Sequence, residues 1–139
     1  MKVCVLYAPA TKENGKIKEI ANSLSEGIAS QGHQVDVFDM SLENGKIVSY
    51  YDYLVVGTET NTFFGGKIPP VVASFLKSAG SISGKRCLAF VTKGGVRSMK
   101  TLQALMKTME SEGMYLKKSE LITKSDYAKA VGKHLKVSI

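Results

Sequence analysis

The sequence predicts an α/β fold, a doubly wound and mostly parallel sheet with helices on both faces, and three observations carry that reading. Short apolar runs alternate with amphipathic stretches from one end of the chain to the other, the pattern of repeated βα units. Val3-Cys4-Val5-Leu6-Tyr7 and Tyr53-Leu54-Val55-Val56-Gly57 are apolar without interruption, as strands covered on both faces must be. At 139 residues, with 44% apolar and 22% charged, the chain has the size and balance of one globular domain, expected to span residues 1–139.

The elements follow in order. After the first strand and a polar loop, Ile17, Ile20, Ala21, Leu24 and Ile28 recur at helical spacing, opposite Lys18, Asn22, Ser25 and Glu26. Gly32 stops this helix, because glycine accepts the left-handed conformation that helix ends often need. Val35 and Val37 form a second strand whose Asp36 and Asp39 place it near the sheet edge. Residues 40–50 are ambiguous: Asn44-Gly45 is a turn signal, yet the connection is long enough for a short helical crossover. The third strand, from Tyr53, is central. Pro69-Pro70 then open a helix with Val71, Val72, Phe75 and Leu76 on its inner side. Residues 86–91 make the fourth strand. Residues 99–112 make a helix with Leu102, Leu105, Met106 and Met109 at its period, the methionines as core filler. Gly113 ends it, a fifth strand lies within residues 114–122, and Tyr127, Ala130, Val131 and Leu135 mark a last helix. Five βα units are expected.

Composition narrows the function. Lys and Arg number 19 against 12 Asp and Glu, a net charge of +7 that favours an anionic ligand or partner. The only basic pairs are Lys85-Arg86 and Lys117-Lys118, and no basic segment is interleaved with aromatics, so no specific nucleic-acid partner is expected. No apolar run approaches the roughly 20 residues that span a bilayer, which excludes a membrane protein. The amino terminus lacks the features of a signal peptide and reads as the first strand of a cytoplasmic protein. Cys4 and Cys87 sit in apolar runs without CxxC spacing and read as small core hydrophobes. His33 and His134 lie far apart and read as solvated, with no metal or triad constellation around them.

In a doubly wound sheet, ligands bind beyond the carboxyl ends of the strands, where strand order reverses. Three loops meet that condition, residues 8–15, 58–67 and 92–98, each rich in Gly, Thr, Asn or Ser. They contain no GxGxxG, no GxxxxGK[ST] and no Asp ending the third strand, which disfavours a dinucleotide dehydrogenase, a P-loop NTPase and a receiver domain.

Over nearly its whole length the chain resembles the flavodoxin family. The resemblance rests on the strand ending at Tyr7 with its Thr11 loop and following helix, on Tyr53-Leu54-Val55-Val56-Gly57-Thr58 followed by Phe63-Phe64-Gly65-Gly66-Lys67-Ile68-Pro69-Pro70, and on Leu88-Ala89-Phe90-Val91-Thr92-Lys93-Gly94-Gly95. It implies a three-layer fold with a five-stranded parallel sheet of order 2-1-3-4-5, and flavin mononucleotide (FMN) as cofactor. By position it assigns Ala8, Pro9, Ala10, Thr11, Lys12 and Asn14 to the phosphate loop. Thr58, Thr60, Phe63, Phe64 and Gly65 fall to one side of the flavin ring, with a Phe stacking on it, and Lys93, Gly94 and Gly95 to the other.

Structural readings of the same residues stay open: helix capping for Thr11 and Asn14, cover over the core for Phe63 and Phe64, and a tight turn for Gly94-Gly95. The chain also departs from the family. Thr11-Lys12-Glu13-Asn14 stands where Thr-Gly-Asn-Thr is usual, Glu59 where Pro is frequent, and the charge is basic where electron-shuttling flavodoxins tend to be acidic. The resemblance implies an electron carrier with no catalytic side chain, and the net charge of +7 points to an acidic redox-partner protein. A reductase built on the same site shares the cofactor, and the sequence does not separate it from a carrier. The competing expectation is a module of this fold that has lost FMN and serves as a binding or regulatory domain.

Overall fold

Strand β1 (Lys2–Ala8) has six consecutive buried residues and lies inside the sheet rather than at its edge. The computed structural model describes residues 1–10, 15–43, 45–60, 67–92 and 97–137. Along them follow α1 (Lys16–Ala29), β2 (Gln34–Asp39), β3 (Tyr53–Glu59), α2 (Pro70–Lys77), β4 (Arg86–Thr92), α3 (Ser98–Ser111), β5 (Tyr115–Leu121) and α4 (Ser125–His134). The strands form one parallel sheet in the order β2-β1-β3-β4-β5, as expected.

Side chains of successive strand residues point to opposite faces, so the apolar strands feed two separate cores. On one face Cys4, Leu6, Leu54, Val56, Cys87 and Ala89 meet α2 and α3 through Val72, Phe75, Leu102, Leu105 and Met109. On the other, Val3, Val5, Tyr53, Val55, Leu88 and Phe90 meet α1 and α4 through Ile17, Ile20, Leu24, Ile28, Ala128 and Val131. The result is the expected three-layer arrangement.

Helices α1 and α4 touch backbone to backbone. A Cβ on Gly27 would lie 2.2 Å from the Lys129 carbonyl oxygen, and one on Gly132 would lie 2.3 Å from that of Leu24, so each glycine makes room for the opposite helix. Gly57 does the same for a side chain: the far end of the Phe90 ring stands 2.1 Å from where a Cβ would lie.

Two expectations need correction. The described residues contain four helices, so β2 is not followed by a helical crossover and the count of five βα units does not hold. The connection is instead pinned as a loop. Val48 and Tyr51 are buried, Val48 N–H donates to Ala79 O (2.9 Å), Asp52 N–H to Lys2 O (2.8 Å) and Tyr51 O–H to Asp36 (2.6 Å). These anchors, close together in sequence and directed to different elements, are incompatible with a continuous helix; Asn44 itself lies outside the described residues.

In α4 the inward face is Ala128, Val131 and Gly132, while Tyr127 is exposed and donates its hydroxyl to Glu120 (2.6 Å). Ala130 is exposed as well. The helix stops at His134, and Leu135 reaches the core in extended conformation. Strand β5 falls within residues 114–122 as expected; it is largely exposed and departs from regular pairing. Cys87 faces Leu116 but Leu88 faces Lys118, which leaves Lys117 as an extra residue in a β-bulge.

Candidate ligand site at the carboxyl edge of the sheet

Polar groups are excluded from a packed interior unless hydrogen bonds compensate for lost water. Among the described residues the buried polar or charged ones are Thr58, Glu59, Thr92, Ser98 and Thr101. All five gather in one place: the last residues of β3 and β4 and the first turn of α3. There too the sheet changes hand. The chain leaves β1 for α1 on one face and β3 for α2 on the other, so the crevice between the two exits is the topological switch point.

Hydrogen bonds knit this edge together. Thr58 Oγ1 donates to Ala8 O (3.0 Å), tying the end of β3 to the end of β1. The next residue, Glu59, accepts the Ala10 N–H on Oε1 (2.9 Å) although its side chain is fully buried. Glu59 faces Thr92 across the β3–β4 ladder, and Thr60 N–H extends the ladder to Thr92 O (3.3 Å). At the start of α3, Thr101 bonds back to Arg97 O (3.0 Å). Tyr7, which ends the buried run of β1, has its phenol held above the ordinary range by burial and, second, by Asp39.

Two hydroxyls stand apart. Thr60 Oγ1 and Thr92 Oγ1 are both buried, and neither has a hydrogen-bond partner among the described residues. A buried polar atom left without a partner costs about 1–3 kcal/mol, so a pair of them on neighbouring strand ends calls for an explanation. Each hydroxyl carries a donor and acceptor sites whose partners the described residues do not supply. Toward an anion the edge is less open, since the one N–H of the first loop with a described partner is already held by a carboxylate.

Of the residues assigned from sequence, Ala8 and Thr58 are buried, and Pro9, Ala10 and Thr60 are half-buried, all at this edge. Thr11, Lys12, Asn14, Phe63, Phe64, Gly65, Lys93, Gly94 and Gly95 lie outside the described residues, as do Glu13 and Gly66. Thr92 was not assigned to the site, and Glu59 was noted only as a departure. The signal for both was present: a polar residue ending an uninterrupted apolar strand has no reason to be there for packing alone.

No family model and no curated protein matches the chain. Solved structures do. A flavodoxin from the domain Archaea superposes with a TM-score of 0.74 at 19% identity, covering 96% of this chain and 94% of its own. Oxidised Flavodoxin 1 from Bacillus cereus superposes with a TM-score of 0.75 at 17% identity, covering 98% of this chain and all (100%) of its own. The fold is flavodoxin-like. The same fold forms 34% of rubredoxin oxygen:oxidoreductase from Desulfovibrio gigas, which matches 95% of this chain with a TM-score of 0.72 at 17% identity. Among the described residues of this flavodoxin-like chain, no helix is long and apolar enough to cross a membrane. None of its described His, Cys, Asp and Glu side chains gather in threes around a point that would hold a metal ion.

Proposed function

We propose that this flavodoxin-like chain binds FMN at the carboxyl edge of its sheet and carries electrons. The observation behind the proposal is the pair of buried hydroxyls of Thr60 and Thr92 at the switch point, which have no partner among the described residues. It is joined by the concentration of every buried polar residue described at the same edge. When bound, the flavin supplies the redox chemistry, accepting and returning electrons singly or as a hydride equivalent.

The chain's own residues bind and orient. Thr60 and Thr92 supply hydrogen bonds to polar atoms of the ligand, and Thr58 holds the ends of β1 and β3 at a fixed separation through Ala8. Glu59 fixes the start of the first loop through Ala10. No side-chain acid, base or nucleophile is needed. The net charge of +7 suits an acidic redox partner.

Purification under mild conditions followed by a visible absorbance scan, with calorimetric titration of added FMN, tests the reading. A flavin spectrum or saturable heat is expected. A colourless protein that gives no heat would overturn it. The second reading, a module of this fold that works without flavin as a binding domain, is favoured by one observation, the Glu59 carboxylate occupying the Ala10 amide where the resemblance places a phosphate.

A further inference from the structure

At the opposite end of the sheet lies a hollow of about 390 Å³, lined by Tyr53, Lys117, Lys118, His134, Leu135 and Lys136. Tyr53 opens β3 and Glu59 closes it; at about 3.3 Å per residue the two ends are roughly 20 Å apart. The hollow therefore belongs to a different surface from the flavin site and does not depend on it.

Its lining is built rather than incidental. Lys117 and Lys118 are consecutive strand residues, which in a regular strand point to opposite faces. The bulge at Lys117 breaks that alternation, and both lysines line the hollow. Bulges commonly re-aim side chains in this way. The last turn of α4 brings His134, and the extended chain beyond it brings Lys136. The carbonyls of Gly132 and Leu135 that end this helix are taken by Gln31 Nε2, at 2.7 and 2.9 Å, so the cationic side chains are not needed to cap it. Only Lys118 has an acidic partner among the described residues, Glu120 at 3.5 Å, while Lys117 lies over the Tyr115 ring at 4.8 Å. Three lysines and a histidine thus line one hollow, with Glu120 beside Lys118, and the buried Tyr53 and Leu135 give the wall an apolar part.

We propose that this hollow is a second ligand site, for a small organic phosphate whose apolar body rests against Tyr53 and Leu135 and whose charge meets Lys117, Lys118 and Lys136. The volume lies in the range of small-molecule sites, and a rim of cations over an apolar wall is the complement of such a molecule.

Phenyl phosphate is the probe, followed by NMR of the full chain at fixed ionic strength. Saturable shifts are expected at Tyr53, residues 115–118 and residues 134–136. Inorganic phosphate should bind more weakly, and Lys117→Gln with Lys118→Gln should weaken phenyl phosphate about tenfold. Lys77→Gln with Lys107→Gln, lysines on α2 and α3, should leave it unchanged. Shifts that never saturate, that spread over all lysines, or that are lost equally in the control pair would overturn the proposal. So would inorganic phosphate binding as tightly as phenyl phosphate. Because the probe carries no flavin, failure here leaves the flavin reading standing, and the reverse also holds.

Discussion

Substituting Gly27 by alanine places two known effects in opposition, and the geometry decides between them. Alanine is favoured over glycine inside a helix by about 1 kcal/mol, so helix propensity alone expects Gly27→Ala to stabilise. The new Cβ, however, would stand 2.2 Å from Lys129 O, 2.8 Å from Lys133 N and 2.9 Å from the Gly132 Cα. All three atoms are backbone, so no rotamer change relieves the clash. Real Cβ contacts essentially never fall below 3.0 Å, and the two helices must part by about 0.8 Å. A gap of that size forfeits about a quarter to a half of each dispersion contact across the seam, where Leu24 and Ile28 pack with Ala128 and Val131. Overpacking costs about 1–3 kcal/mol, and a backbone-to-backbone clash belongs at the upper end. The net expectation is destabilisation by about 2 kcal/mol, which lowers the urea midpoint by about 1 M at the slope of a small protein. Gly15→Ala is the control: nothing among the described residues lies within 4 Å of its Cβ, its φ is −82°, and its midpoint should stay within about 0.3 M of wild type. A Gly27→Ala protein as stable as wild type, or more so, would refute the close α1–α4 crossing.

Three other outcomes are expected. Glu59→Gln replaces the carboxylate that holds the Ala10 amide by a neutral amide; a like charge a few Å from a phosphate costs roughly 1–3 kcal/mol per unit charge at effective dielectrics between water and protein surface, so FMN affinity should rise about five- to a hundredfold. Riboflavin, which lacks the phosphate, should be unaffected, and fluorescence titration with both ligands checks the ratio. Thr92→Val removes an unpartnered buried hydroxyl, so the flavin-free protein should gain about 1 kcal/mol in urea unfolding while FMN binds up to about tenfold more weakly. Burial, reinforced by Asp36 for Cys4 and by Glu110 for Cys87, pushes both thiols from 9.0 to about 12. Below pH 9 they are protonated in folded and unfolded chains alike. Above it the unfolded chain releases protons that the fold retains, so stability should fall between pH 9 and 12 by about 1.4 kcal/mol per thiol per pH unit. Neither thiol should react with iodoacetamide at pH 8 until urea unfolds the protein.

Much of the fold is legible in the sequence where one local rule decides it. Strands β1 and β3 announce themselves because a strand covered on both faces has no polar position to spare, and α1 because its stripe keeps the helical period. What resists reading depends on a partner distant in the chain. The loop after β2 is set by Val48 bonding to Ala79 and Asp52 to Lys2, neither of which the local pattern contains. Gly27 and Gly132 look like weak points in two helices until the helices are seen to cross there. Strand β5, Tyr-Leu-Lys-Lys-Ser-Glu-Leu, has no clean alternation because its bulge removes it, and the pairing of Lys117-Lys118 with His134 and Lys136 follows only from that bulge. At the carboxyl edge the loops were identifiable from glycine and hydroxyl content. The roles of Glu59 and Thr92 needed the register that sets them side by side.

Titration of isotopically labelled protein with FMN, followed at the backbone amides, tests binding and location together. The account expects saturable shifts at residues 8–10, 58–60, 92 and 97–101, complete at FMN concentrations below those that move the far end of the sheet around Tyr53 and Lys117. A spectrum unchanged by FMN, or shifts confined to that far end, would contradict it.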